Sequence, residues 1–277
     1  APAPGRRVLI LGAVHGNEIA GTLAQKRIIR QIKQGELRLK SGSVTFIPTV
    51  NEAARQRDVR FIDANLNRIV RYHPQPRSNE EKIANSLIRM LDSCDIMLDL
   101  HSTHCEGDVE FAFIDHPTAA NLELLSLIPV KTALAGWPQI YAGNPDINNF
   151  STEEYAYAHG KTGITVECGY HKSPQAIEVA CRSILNVLAC YGIIDAARPA
   201  PKQPSLISLD SFVVKRSPGR LSRPYKHLDA VKRGEILAVC NNGEQIAAPF
   251  DGYIIMPAPQ AAVGSEWFYL GHKKKKG

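Results

Sequence analysis

From Arg7 to Gly192 the chain alternates short apolar runs with stretches whose apolar residues recur every three or four positions. That alternation restricts the fold to strands of a sheet separated by covering helices. Arg7–Val14 (RVLILGAV) is a bounded run of β-forming residues and predicts a buried strand. Between Glu18 and Lys33 the apolar positions Ile19, Leu23, Ile28, Ile29 and Ile32 predict a helix, which Gly35 ends. Ser43–Pro48, Asp95–Leu100, Val109–Ile114 and Gly163–Val166 read as further strands. Ser78-Asn79-Glu80-Glu81 has the form of a capping box opening a helix. Ser173-Pro174 starts another, running through Ile177, Cys181, Ile184 and Leu188 to Gly192. The expected fold is α/β, a mixed sheet flanked by helices.

The texture changes after a Pro- and Ala-rich linker at 196–203. Ser208–Val214, Ile236–Val239, Gln245–Ala248, Tyr253–Met256 and Trp267–Leu270 are short β-like runs separated by Gly, Pro, Asn and Asp, with no helical period among them. The expected division is therefore a catalytic domain over 1–195 and a small all-β, barrel-like domain over 204–277. Val231–Ala238 with Ala248–Ile254 resembles the half-barrel of biotinyl and lipoyl carrier domains. The lysine that such carriers modify has no counterpart around Ile255-Met256-Pro257, which argues against a carrier role.

Charge and cysteine usage narrow the function classes. The net charge is +6, but Lys273–Lys276 supply four of those charges as one tail run, so the rest of the chain carries only about +2. No nucleic-acid face is expected, and the tail reads as a solvated end. The six cysteines form no C-x-x-C pair, which suggests reduced thiols in a cytoplasmic protein. No stretch has the length and apolarity of a membrane span.

His15-Gly16-Asn17-Glu18 and His101 carry the chemistry. An H-x-x-E spacing arises by chance in a chain with nine His, so spacing alone leaves a loop His and an unrelated core His as the alternative. The placement adds weight. His15 and Glu18 follow the first predicted strand, His101 follows Asp95–Leu100, and Glu167 follows Gly163–Val166. Ligands of open α/β sheets bind outside the carboxyl ends of the strands. Two His and one Glu form a catalytic zinc set with a fourth position free. One zinc per chain is expected, although the same donors accept other divalent ions.

In order along the chain, His15-Gly16-Asn17-Glu18, Arg60-Phe61-Ile62-Asp63, Asn65-Leu66-Asn67-Arg68, Asp99-Leu100-His101 and Val166-Glu167-Cys168-Gly169 resemble the motifs of the succinylglutamate desuccinylase/aspartoacylase family. The resemblance implies a zinc carboxypeptidase-like fold with His15, Glu18 and His101 as metal ligands. It implies Glu167 as the general base and Arg60 as the group that polarises the scissile carbonyl. Asn67 and Arg68 match positions that bind a substrate carboxylate, for which an amide donor and a guanidinium fork are suited. His171, just after the Glu167 turn, is a candidate substrate contact, and His104 a candidate for the pocket rim.

One feature departs from the aspartoacylases proper. They carry a further Arg about ten residues before the base, where this chain reads Tyr155-Ala156-Tyr157-Ala158-His159-Gly160-Lys161. Lys161 and His159 are the candidate substitutes there, neither at the matching place, which counts against N-acetylaspartate. The expected activity is hydrolysis of the amide of a small N-acyl amino acid or similar carboxylate. The alternatives are a zinc carboxypeptidase acting on a short peptide, an ester hydrolase with the same site, and a non-catalytic metal-binding protein. The expected partner is a small-molecule substrate, with neither nucleic acid nor membrane, and self-association is left open.

Overall fold

The computed structural model describes residues 3–104, 106–142 and 149–273. The chain separates into two compact units: Ala1–Ala133 with Gly143–Pro204, and Leu134–Ala142 with Ser205–Gly277. Cys105 and Lys274–Lys276 of the tail run lie outside the described residues.

The first unit contains β1 (Ala3–Gly12), α1 (Ala20–Lys33), β2 (Ser41–Ile47), α2 (Glu52–Gln56), a 3-10 turn (Leu66–Arg68), α3 (Asn79–Ser93), β3 (Ile96–Thr103), β4 (Phe111–Phe113) and α4 (Ala119–Ser126). After β5 (Thr132–Ala135) and α5 (Trp137–Tyr141), where the chain enters the second unit, the first resumes with α6 (Thr152–Ala158), β6 (Thr162–Tyr170) and α7 (Pro174–Cys190). Its strands run in the order β2-β1-β3-β6-β4. The first four are parallel and β4 is antiparallel to β6, so the sheet is mixed and flanked by helices.

Alternation of side chains along the strands assigns the two faces. Leu9, Leu11 and Met97 pack with Ala84, Leu87 and Leu91 of α3 and Ala156 of α6. On the other face α1 lies against β1 and β3, and α7 against β3 and β6. Close packing of α1 needs glycine: a Cβ on Gly21 would sit 2.7 Å from Leu100 Cβ. The start of α3 is capped as its sequence predicts, with Ser78 and Glu81 forming both bonds of the box. Glu80, the residue between, turns inward and is fully buried.

Two predicted strands are longer than expected. β3 continues through His101 to Thr103 and β6 through Glu167 to Tyr170, so both residues lie inside strands rather than beyond their ends. The two strands prolong each other by pairing, His101 opposite Glu167 and Thr103 opposite Tyr170, with a register shift between them. Such pairing partners are distant in sequence and leave no local signal.

The second unit contains β7 (Ser205–Val214), β8 (Gly219–Leu221), β9 (Asp229–Val231), β10 (Ile236–Cys240), β11 (Gln245–Ala247), β12 (Gly252–Ile255) and β13 (Glu266–Lys273). These form one sheet in the order β7-β13-β12-β9 and a second in the order β11-β10-β8. Trp267, Phe268, Leu237 and Ile254 fill its core. Among the described residues no helix is long and apolar enough to cross a membrane.

Candidate metal centre

The site grows from the loop that leaves β1. Ala13 takes a left-handed backbone (φ +46°) and turns the chain sharply. Gly12 and Ala13 carbonyls accept the N–H groups of Val50 and Asn51, at 2.9 and 3.0 Å, which fixes that turn against the next segment. Glu18 N–H donates to the His15 carbonyl at 3.1 Å, so both side chains face the same way. Gly16 between them donates to the Arg60 carbonyl at 3.0 Å, and any Cβ there would run into the Ala54 backbone. The loop is thereby clamped to α2 and to the segment carrying Arg60.

His15, Glu18 and His101 are all buried, and one ligand atom from each lies within 4.8 Å of the others. His15 Nδ1 is 2.9 Å from Glu18 Oε1, His101 Nδ1 is 2.8 Å from Glu18 Oε2, and the two Nδ1 atoms are 3.1 Å apart. Arg60 Nη1 donates to Glu18 Oε1 at 2.6 Å.

The surrounding bonds decide which imidazole nitrogens are free to bind a cation. Asn65 Oδ1 accepts the backbone N–H of Asn67 at 3.0 Å, which identifies it as the oxygen of that amide. The same atom lies 2.9 Å from His15 Nε2. An amide oxygen only accepts, so Nε2 carries the hydrogen and His15 Nδ1 is left with a bare lone pair. Burial, reinforced by Arg60, lowers the His15 pKa to about 4, so the ring is neutral at pH 7. A bare nitrogen then faces a carboxylate oxygen at 2.9 Å with no hydrogen between them. A divalent cation resolves that opposition, and the donor set suits zinc.

His101 is oriented from its other side. Its Nε2 lies 3.0 Å from Asp99 Oδ2, near enough for attraction though off the line of a hydrogen bond. Asp99 is itself held by Thr152 Oγ1 at 2.6 Å. Burial opposes a charge on His101, but Asp99 and Glu18 outweigh it and raise the pKa well above the usual imidazole range. Burial likewise opposes the charge of Glu18, and His15, His101 and Arg60 outweigh it and hold this carboxyl well below its usual value.

Glu167 projects from β6 opposite His101. It is buried, its Oε2 has no hydrogen-bond partner, and burial followed by the charge of Glu18 pushes its pKa up to about 8. Asn67 accepts the Thr152 N–H at 2.9 Å through its side-chain oxygen, and Arg68 Nη1 donates to the Asn67 carbonyl at 3.1 Å. His171 packs edge-on against His104 with centroids 5.2 Å apart, and its N–H donates to the Thr103 carbonyl at 3.0 Å. Burial lowers the His104 pKa, with Glu18 pulling the other way and Arg60 reinforcing the decrease.

Lys161 and His159 are placed away from this group. Lys161 Nζ donates to the Asp92 carbonyl at 2.9 Å, and His159 stacks on Tyr155 at 3.9 Å. Both precede β6, at the end of the parallel strands opposite the metal ligands, so neither replaces the missing arginine. Other residues carry structural weight that the sequence reading did not assign. Asn65 and Asp99, inside the motifs at 65–68 and 99–101, orient the two histidines. Glu80 accepts backbone N–H groups from Ile62, Asp63 and Ala64 at 2.8, 3.0 and 3.2 Å, and the Asn51 amide at 2.8 Å. It thereby ties down the loop between Arg60 and Asn65, and nothing local in the sequence marks it.

The chain also has detectable relatives among known proteins. Residues 4–191 match the family described as succinylglutamate desuccinylase/aspartoacylase catalytic domain. The N-alpha-acetyl-L-2,4-diaminobutyric acid deacetylase of Halomonas elongata is 25% identical over 250 residues, 84% of this chain and 70% of that protein. An aspartoacylase of Xenopus tropicalis is 24% identical over 186 residues, 63% of this chain and only 56% of the relative's length. A succinylglutamate desuccinylase/aspartoacylase structure from Rhodobacter sphaeroides superposes with a TM-score of 0.80 at 18% identity, covering 99% of this chain and 88% of that one. That likeness establishes a shared fold.

Proposed function

The chain belongs to the succinylglutamate desuccinylase/aspartoacylase catalytic domain family, and we propose from that premise that it is a zinc-dependent amidohydrolase releasing the acyl group of a small N-acyl amino acid. The observation that carries this reading is the bare Nδ1 of His15 converging with His101 and Glu18, with the unpartnered oxygen of Glu167 on the adjacent strand.

His15 and His101 through Nδ1, and Glu18 through its carboxylate, are the residues that would hold the ion. Bound zinc supplies Lewis-acid activation of water and of the amide carbonyl. Glu167 takes up a proton at its carboxylate and returns one to the departing amine. Its pKa of about 8 keeps both forms within reach near neutrality. Arg60 is a fixed guanidinium beside the site, suited to the negative charge that develops on the carbonyl oxygen. Asn67 and Arg68 anchor the substrate carboxylate, and His171 closes the rim beside His104. With Lys161 and His159 turned away, a second carboxylate on the substrate has no cation at the aspartoacylase position, so monocarboxylate amino acids fit better than N-acetylaspartate. We place the enzyme in the cytoplasm, a reading supported by the five free cysteines among the described residues.

The test is metal analysis of the wild type, His101→Ala and Glu167→Gln, each assayed for amine release from N-acetyl, N-formyl and N-succinyl amino acids. About one zinc per chain that is lost with His101 is expected. Glu167→Gln should keep the metal and lose about 10²–10⁴ in rate. Zinc without turnover on any of these amides would refute the amidohydrolase assignment, and shortening of peptides from their C-termini would replace it with a carboxypeptidase.

A further inference from the structure

We propose that the second unit carries a binding site for a phosphate group, borne by a small organic molecule, between the end of β7 and the β8–β10 pair. A cavity of about 500 Å³ lies there, lined by Lys215, Gly219, Arg220, Cys240 and Asn241, with Val239 and Val263 among its apolar walls. Among the described residues no carboxylate lines it.

Lys215 is the residue that makes this a site. It is only 9% exposed, yet it has no ion-pair or side-chain hydrogen-bond partner among the described residues. Its Nζ lies over the Trp267 ring, 5.1 Å from the centroid. The stem is buried while the residue lines the cavity, so its charge faces a space with no anion in it, and stacking over indole satisfies that charge only in part. Its backbone is held on both sides: Lys215 N–H donates to the Ser265 carbonyl at 2.9 Å, and Gly264 N–H to the Lys215 carbonyl at 2.8 Å. The side chain is therefore positioned by the fold.

The rest of the lining fits the same ligand. Arg220 extends from β8, and it too has no carboxylate partner among the described residues. Gly219 lets β8 lie close against β10, since a Cβ there would come within 2.6 Å of the Val239 carbonyl oxygen. Ammonium and guanidinium only donate, and the Asn241 amide adds two more N–H groups. Two cations and an amide, with no acidic group to neutralise them, suit an acceptor-rich dianion, and a phosphate monoester is the compact form of one. The valine walls leave room for an apolar body attached to it.

The full chain is titrated calorimetrically with inorganic phosphate and with phenyl phosphate, each against sodium chloride of equal ionic strength. Saturable binding at one site per chain is expected, weakened about tenfold or more in Lys215→Met and in Arg220→Gln. Binding should be unchanged in Arg60→Gln, which separates this site from any phosphate held at the metal centre. Arg220 is exposed, so its variant carries the test if Lys215→Met fails to fold. Tighter binding of phenyl phosphate identifies an organic ester as the occupant. Equal binding of the two probes identifies free phosphate, which retains the site but overturns the organic ligand. No saturable heat with either probe, or full affinity in the Lys215 and Arg220 variants, overturns the site.

Discussion

Asn65 fixes the tautomer of His15: its side-chain oxygen takes the Nε2 hydrogen at 2.9 Å while also accepting the Asn67 N–H at 3.0 Å. The residue that presents the ligand nitrogen is thus fifty positions from the ligand. Asn65→Ala should lower zinc affinity about 10–100-fold, as loss of such an orienting partner does elsewhere. Asn65→Asp keeps an acceptor and should retain most of it. Competition against a chelator measures both, and equal affinity in Asn65→Ala and wild type would show that His15 needs no such orientation.

Glu80 links stability to pH. Burial alone would raise its pKa, but the N–H groups of Ile62 and Asp63 and the amides of Asn51 and Asn79 outweigh that and hold it at about 2, against an ordinary value of 4.5. A carboxyl depressed in the fold stabilises the fold above its unfolded pKa, and that contribution is lost as pH falls toward the folded one. Glu80→Gln should therefore destabilise the protein by about 1–3 kcal/mol at pH 7. The difference should shrink between about pH 4.5 and 2. Denaturant midpoints across that range give the answer, and a gap independent of pH would mean that the loss is steric.

Arg68 and Lys161 should behave oppositely in kinetics. Arg68→Lys replaces a planar fork by a point charge and should raise KM about 10-fold or more with little change in kcat. Lys161→Ala removes a cation bonded to the Asp92 carbonyl and should leave KM within about twofold. A matching rise in KM for Lys161→Ala would place that residue in the substrate site after all.

Gly16 is required for space. Any Cβ there meets the Ala54 backbone, which belongs to α2 and is itself buried. Gly16→Ala should cost about 1–3 kcal/mol of stability and weaken zinc binding, since the clash displaces the turn between His15 and Glu18. Thermal melts with and without added zinc separate the two effects.

Much of this architecture was legible in local pattern. The strand at Arg7–Val14, the helix to Lys33 and the capping box at Ser78 each depend on residues close in sequence, and β1, α1 and α3 formed where those signals lie. His15, Glu18 and His101 stood out because they follow recognisable apolar runs, and they do converge. The tertiary structure decided the rest, since the determinants are contacts between distant segments. β3 and β6 prolong each other past His101 and Glu167, Glu80 reaches the N–H groups of 62–64, and Leu134–Ala142 joins the second unit, where Tyr141 bonds Glu266 and Tyr269 at 2.8 Å each. A sequence displays periodicity and end signals directly. Which buried carboxylate meets which orphan N–H depends on packing, and only the folded chain brings those groups together.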